Sequence, residues 1–487
     1  DFLAVRQLAD QAFSRASGAP LRDGNEVRLL LDAADHYPRW LAAIAAACRT
    51  VHLEMYIIWE DGEGERFADA LIRKAQEGVQ VRVLYDWLGG FRKTSRGFWN
   101  RLRDGGVEVQ CFNPPRLDEP LGWLSRDHRK ALVVDGRLGF VTGLCIGDLW
   151  VGNPAKRLDP WRDTGIEVRG PAVGDLEQAF ADSWQAAGGG AIDDKAPASA
   201  TARAGDVSLR VVATVPNTGH VFRVDQLVAA MARETLWLTD AYYGGTTAYL
   251  QALRAAAIDG VDVRLLVPGN SDIPVVRAFS RAGYRPLLEA GVRVFEWNGS
   301  MLHAKTAVAD GRWARVGSTN LNVASWLGNR ELDIVIEDQA FAQQMQQTFL
   351  RDLENATEVV LDARHRVRRP KAKPGSTAGR RHRAGSGGRI VAGAFRVGDT
   401  VTAAITNRRV LEPVEAHIAL IGAALLTGVA ALAYFVPAVV AYPIVVIGAW
   451  FALALAYRGL TLVRAGRADT PAAKTPVSRT RPRSDPA

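Results

Sequence analysis

The sequence predicts an α/β protein: two repeated α/β domains, each with a mostly parallel sheet, paired face to face as a pseudo-dimer and followed by a C-terminal two-helix transmembrane hairpin. Three observations predict it. Residues 1–363 contain an internal repeat, each copy alternates strand-like with helix-like stretches, and a long uncharged apolar run lies near the C-terminus.

In the first copy, Val51-His52-Leu53-Glu54-Met55-Tyr56-Ile57-Ile58 reads as a strand, Glu65 to Glu77 as a helix, and Gly78-Val79-Gln80-Val81-Arg82-Val83-Leu84 as a second strand. The second copy answers with a strand over Leu236 to Tyr243, a helix over Thr246 to Ile258, and a strand over Gly260-Val261-Asp262-Val263-Arg264-Leu265-Leu266. Gly106-Val107-Glu108-Val109 is matched by Gly291-Val292-Arg293-Val294. Strands joined through helices run parallel, which is the basis for expecting mostly parallel sheets.

From Ala416 to Tyr457 no side chain is charged apart from any proton on His417. One helix of that length would measure about 60 Å against a hydrocarbon core of about 30 Å, so two spans are expected, with the turn at Pro437 to Pro443. Arg408 and Arg409 before the run, and Arg458, Arg464 and Arg467 after it, put both ends on the cytoplasmic side. Residues 1–50 lack an apolar h-region, so no signal peptide is expected.

The formal charge of +8 resides outside the main body. Eleven Lys and Arg and no acid lie between Arg364 and Arg396, and seven basic against two acidic residues lie from Arg458 onward, leaving residues 1–363 at −7. An acidic body argues against a nucleic-acid partner, whose backbone calls for spread Lys and Arg. The Arg364 to Arg389 stretch, with Pro370 and Pro374, is expected to be a flexible linker. Its charge either binds anionic headgroups or only keeps the chain extended. Cys48, Cys111 and Cys145 have no metal or disulfide spacing and are expected to be reduced core thiols in the cytosol.

Each repeat carries one H-x-K-x-x-x-x-D motif: His128-Arg129-Lys130-Ala131-Leu132-Val133-Val134-Asp135 and His303-Ala304-Lys305-Thr306-Ala307-Val308-Ala309-Asp310. In an extended segment residues two apart share a face, so each imidazole stands beside an ammonium. Two such pairs suit a phosphodiester. One neutral imidazole attacks phosphorus, a second protonated one supplies the leaving alkoxide with a proton, and the lysines neutralise phosphoryl oxygens. No cofactor and no metal is expected, since no ligand cluster with metal spacing accompanies either motif.

With these residues in view the chain resembles the phospholipase D superfamily, and within it bacterial cardiolipin synthases, over nearly all of residues 20–360. The resemblance rests on Leu53-Glu54-Met55-Tyr56-Ile57, Asp127-His128-Arg129-Lys130, Trp161-Arg162-Asp163-Thr164, Leu302-His303-Ala304-Lys305-Thr306 and Val316-Gly317-Ser318-Thr319-Asn320-Leu321-Asn322. It implies two phospholipase D-like domains, over 1–200 and 201–363, beyond which composition sets the basic juxtamembrane linker over 364–411, the hairpin over 412–460 and a disordered tail over 461–487. It implies that His128 is the nucleophile and His303 the general acid and base. Lys130, Lys305, Ser318 and Asn320 would hold phosphoryl oxygens, with Gly143 at the equivalent place in the first half. Asp163 and Glu331 stand where the family carries an acid behind each histidine, and Asp135 and Asp310 would brace loops.

One departure is visible: Thr142-Gly143-Leu144-Cys145 stands where a glycine and an asparagine are usual. The implied activity is phosphatidyl transfer between phospholipids, phosphatidylglycerol among them, at the inner face of a bacterial cell membrane. Phospholipase D hydrolysis uses the same residues. A nucleic-acid phosphodiesterase is disfavoured by the acidic body, and a non-enzymatic scaffold by intact His128 and Lys130. His36, His52 and His220 read as structural, and Trp59, Trp87 and Trp161 as core more than as an entrance.

Overall fold

The computed structural model describes residues 2–115, 125–153, 158–192, 202–270, 280–281, 283–362, 367–368, 427–428, 430–432 and 434–468. The first half contributes seven strands: Arg22–Leu31 (β1), Thr50–Met55 (β2), Gln80–Asp86 (β3), Glu108–Phe112 (β4), Lys130–Val134 (β5), Leu138–Thr142 (β6) and Thr164–Arg169 (β7). The second repeats them as Val207–Thr214 (β8), Thr235–Thr239 (β9), Asp262–Pro268 (β10), Arg293–Trp297 (β11), Thr306–Ala309 (β12), Trp313–Gly317 (β13) and Glu331–Ile336 (β14). Ala356–Leu361 (β15) and Val367–Arg368 (β16) then extend its edge.

The strands form one continuous sheet in the order β16-β15-β11-β10-β9-β12-β13-β14-β8-β1-β7-β6-β5-β2-β3-β4, symmetric about the β8–β1 pair. Among the described strand neighbours β2–β3, β3–β4, β9–β10 and β10–β11 are parallel and the rest antiparallel. The mostly parallel sheet expected from the sequence is therefore mixed. Two of its antiparallel pairs, β5–β6 and β12–β13, follow from Asp-Gly dipeptides. Asp135-Gly136 and Asp310-Gly311 take positive φ at both residues (55° and 64°, 50° and 59°), the geometry of a tight hairpin turn that reverses the chain after β5 and β12. Arg137 N donates to Val134 O at 3.0 Å and Arg312 N to Ala309 O at 3.1 Å to close each turn.

Helices cover the sheet because their apolar residues recur on one face. Gly62–Gln76 buries Phe67, Ala68 and Leu71, and is capped by Asp61, whose carboxylate accepts from Gly64 N. Its counterpart Thr247–Ile258 buries Tyr249, Leu253 and Ala256 and is capped by Thr246. A third core joins the halves. Val133, Val141 and Ile166 of the first pack with Val308, Val316 and Ile334 of the second, together with the helices Ala172–Ala186 and Gln339–Glu354. The half-sheets thus meet through a shared apolar face while remaining hydrogen-bonded through β1. That strand uses its C-terminal end for β7 and, after an irregularity between Arg22 and Asn25, its N-terminal end for β8. Asn25 pins the bend: its side chain donates to Arg22 O and Val207 O and accepts from Ala172 N.

Residues 424–487 belong to a separate unit. Its described helix, Pro437–Ala468, runs through Pro443 without the turn expected at Pro437 to Pro443, and continues into the segment expected as a tail. Proline at the first helical position is tolerated because that N–H has no intrahelical partner. Tyr442, Ile444, Val445, Val446 and Leu453 are exposed on it. Among the described residues no helix is both long and apolar enough to cross a membrane. Most of the first expected span, nearly all of the 364–411 linker and residues 469–487 lie outside the described residues.

The carboxylate of Asp135 accepts from the backbone N–H groups of Cys48, Arg49 and Thr50, and that of Asp310 from Arg233, Glu234 and Thr235. Each ties its hairpin to the start of the neighbouring central strand, at the opposite end of β5 or β12 from the lysine. Asp135→Ala and Asp310→Ala should each cost about 1–3 kcal/mol of stability, because three donors lose their acceptor, while leaving the specific activity of the folded protein near wild type. Denaturant titration alongside activity measurement checks both halves of that expectation.

Candidate active site

β5 starts at Lys130 and β12 immediately after Lys305, so each His-x-Lys segment enters its sheet beside the central strand β2 or β9. The histidines precede the strands, in segments that pair with the opposite half. His128 N donates to Arg330 O at 2.9 Å and Arg330 N to Arg126 O at 2.8 Å, while His303 N donates to Arg162 O at 2.7 Å and Arg162 N to Met301 O at 2.9 Å. The residue after each of these arginines is an acid. In consequence the acids are exchanged between halves: Glu331 holds His128 Nδ1 at 2.9 Å, and Asp163 holds His303 Nδ1 at 2.8 Å.

A carboxylate on Nδ1 fixes the proton there and leaves Nε2 with its lone pair, the form a nucleophile or base requires. Both rings line one pocket of about 360 Å³, counting its open mouth, together with Lys130, Tyr56, Tyr242, Cys145, Trp59, Trp150 and Trp161. Lys130 Nζ donates to His128 O and Lys305 Nζ to His303 O, so each lysine is fastened to its own motif. Tyr56 presents its ring edge-on to His128 at 4.9 Å and lies 5.2 Å from Lys130 Nζ. Tyr242 repeats the arrangement, 5.9 Å from His303 and 5.9 Å from Lys305 Nζ. His303 is further enclosed by Trp161 at 5.4 Å and Trp150 at 6.2 Å.

Burial sets the charge states. It pushes His128 down to about 4, with Glu331 opposing and Lys130 adding to the shift, and it pushes His303 down to about 3, with Lys305 reinforcing and Asp163 opposing. Both imidazoles are neutral near pH 7. Burial also lowers Lys305 to about 8, against the attraction of Asp163 and with the repulsion of Lys130. Burial alone would raise both acids, but the facing histidines and lysines outweigh it and hold Asp163 and Glu331 below the ordinary carboxylate range.

Strand register makes Thr142, Gly143 and Cys145 the equivalents of Gly317, Ser318 and Asn320. Ser318 and Gly143, both expected at the substrate, each lie against one of the two acids. Ser318 Oγ donates to Glu331 Oε2 at 2.6 Å, and a Cβ on Gly143 would stand 2.4 Å from Asp163 Oδ1, so the glycine makes room for that carboxylate. Asn320 is buried, and its Oδ1 has no hydrogen-bond partner among the described residues. Cys145 is 1% exposed and forms part of the pocket wall, its thiol pushed up by burial and drawn down by Lys130.

Sequence reasoning missed Tyr56, Tyr242 and Trp150. Tyr56 falls inside a quoted motif stretch and Tyr242 inside an expected strand, but nothing in either told which way the ring points. Trp59 and Trp161, read as core, are buried and also wall the pocket. His52 stacks on Phe180 and bonds Glu177, and His36 bonds Asp32 O, both away from the pocket.

A family model described as "Cardiolipin synthase, PLD-like domain" matches residues 40–146 and 228–353. The cardiolipin synthase of Alkalihalophilus pseudofirmus is 34% identical over 361 residues, covering 73% of this chain and 71% of that protein. The chain belongs to the cardiolipin synthase family. Cardiolipin synthase A of Pseudomonas entomophila is likewise 34% identical, over 72% of this chain and 73% of its own length. The phosphatidylserine synthase of Haemophilus influenzae Rd KW20 shares the fold, with a TM-score of 0.57 at 14% identity over 72% of this chain and 91% of that one. The chain is thus a phospholipase D-superfamily enzyme of the phosphatidyltransferase class. His128 and Lys130 lie in the first matched segment of this cardiolipin synthase family member, and His303, Lys305 and Glu331 in the second; Asp163 lies between them.

Because Lys305 is pushed down to about 8, its charge disappears as pH rises through that value. The expected profile of kcat/KM, which reports the free enzyme, is a plateau that falls above pH about 8. Lys305→Arg, which does not titrate in this range, should flatten that limb even where it lowers the rate.

Proposed function

We infer that the enzyme moves a phosphatidyl group between phospholipids, for example from one phosphatidylglycerol to the glycerol hydroxyl of another, through a phosphohistidine. The observation that carries this reading is the pair of neutral, carboxylate-held imidazoles, each beside a lysine, in one pocket. His128 Nε2 attacks phosphorus, and the bond to the departing glycerol oxygen breaks as His303 passes that oxygen a proton. A phosphodiester between Lys130 and Lys305 offsets their repulsion of His303 and so favours its protonated form, which its surroundings otherwise oppose. His303, now neutral, then takes the proton of the incoming hydroxyl, which attacks the phosphohistidine and frees His128. Lys130 and Lys305 neutralise the phosphoryl oxygens throughout. Asp163 and Glu331 keep the tautomers fixed and stabilise each imidazolium as it forms. On the charge bias of the apolar run, the catalytic body belongs at the cytoplasmic face of a bacterial inner membrane.

Hydrolysis would use the same groups with water as acceptor, so the acceptor must be identified directly. Purified enzyme in mixed micelles of phosphatidylglycerol with EDTA should yield a two-phosphate, four-chain lipid and glycerol by mass spectrometry. Phosphatidic acid as the sole product would replace transfer by hydrolysis, and activity lost to the chelator and restored by a divalent ion would remove the phosphohistidine scheme.

The two histidines should separate by leaving group. With a lipid alkoxide, His303→Ala should lose about 10²- to 10⁴-fold in rate. With a nitrophenyl phosphodiester, which scarcely needs the proton, it should recover most of its first step and accumulate label on His128. His128→Ala should show neither recovery nor label, and phosphate mapped to His303 of the wild-type enzyme would reverse the assignment.

A further inference from the structure

Against the pocket-wall segment Tyr56 to Glu60 packs a stretch that the chemistry above does not use. Trp87 to Gly97 carries Arg92, Lys93 and Arg96 and no acid. Phe91 is 49% exposed at its tip, against Trp87 at 4.9 Å and with the Arg92 guanidinium 5.4 Å from its ring. An exposed aromatic flanked by cations is poorly matched to water and well matched to the headgroup layer of a bilayer.

The loop is fastened to the pocket wall. Thr94 Oγ1 donates to Ile58 O at 2.5 Å, Glu60 N to Lys93 O at 3.2 Å, and Ser95 N to Glu60 Oε2 at 2.6 Å. Lys93 Nζ lies 5.0 Å from the ring of Trp59, a wall residue. Gly89 lies so close to Tyr56 O that a Cβ there would stand at 1.8 Å, so the backbone of the loop rests on the residue whose ring meets His128. Val151, 43% exposed, follows the wall residue Trp150 directly, and its short helix is tied to Asp61, the cap of Gly62–Gln76, through Asp148 N to Asp61 Oδ2. Two apolar tips and a basic loop are thereby fastened to residues of, or next to, the pocket wall.

We propose that Phe91, Arg92 and Val151 form a docking rim that seats the pocket mouth on a bilayer containing anionic phospholipid. The proposal rests on the phospholipid-transfer reading for its choice of partner. The rim delivers the headgroup phosphate to the mouth without the lipid leaving the layer: Phe91 and Val151 enter the interface, and Arg92 meets anionic headgroups.

The test uses the full chain and two substrates, phosphatidylglycerol in phosphatidylcholine vesicles and a short-chain phosphodiester kept monomeric. Phe91→Asp with Arg92→Glu should raise the apparent KM for vesicle substrate roughly tenfold or more, leaving kcat and all kinetics on the monomeric substrate unchanged. Phe91→Leu with Arg92→Lys should behave as wild type. Unchanged vesicle kinetics, or equal losses on both substrates, would overturn the rim. A bimane at Phe91→Cys in a Cys48→Ser background should be quenched by brominated lipid in anionic vesicles and less in purely zwitterionic ones. No quenching in either overturns the rim, whereas quenching by an enzyme that turns over neither substrate keeps the rim and discards the transfer reading.

Discussion

The exchange of carboxylates between the two halves is the constraint on which the rest of the molecule depends. Each histidine takes its orientation from an acid that belongs to the other repeat, so neither half contains a complete set of groups. The shared apolar core, the β1–β8 junction and the short pairings at Arg330 and Arg162 all keep those two contacts in register. A misplacement of an ångström between the halves would reach both imidazoles at once.

The repeat is visible in the primary structure because its chemistry and its hydrophobic pattern recur at matched positions. The expected strands around Val51, Val81, Leu236 and Val263 are present, and the helices follow where apolar spacing changes from two to three or four. What escaped was direction and pairing. Asp135-Gly136 and Asp310-Gly311 are hairpin signals, but Asp135 and Asp310 are expected from the sequence only to brace loops, which leaves the antiparallel β5–β6 and β12–β13 pairs unforeseen. The exchange of Asp163 and Glu331 could not be read at all, since both acids follow motifs at positions that would suit their own half equally well. The turn expected at Pro437 to Pro443 does not interrupt the helix Pro437–Ala468, in which Pro437 takes the first position and Pro443 an interior one.

The halves are not equivalent in detail. Ser318 supports Glu331 with a hydroxyl, whereas Gly143 only leaves space for Asp163. Asp240 accepts from Leu321 N and Tyr242 N at the place where β2 has apolar Met55, and it contributes to the field on Lys305. His303 is packed among three aromatic rings and His128 beside one. Two imidazoles drawn from one ancestral pattern thus have different dielectric surroundings, which two different roles would require.

The β1 strand carries a consequence for biosynthesis. Its N-terminal end pairs with β8 and its C-terminal end with β7, so Arg22 to Leu31 leave the ribosome long before Thr164 to Thr214 exist. At ordinary translation speeds that interval is roughly 10 to 35 s, during which an extended segment has both edges unpaired. Arg22, Asp23, Glu26 and Arg28 place charge along that segment while Leu29, Leu30 and Leu31 crowd its end. Such charges discourage neighbouring nascent chains on a polysome from pairing there, and they become harmless once β7 and β8 have been made.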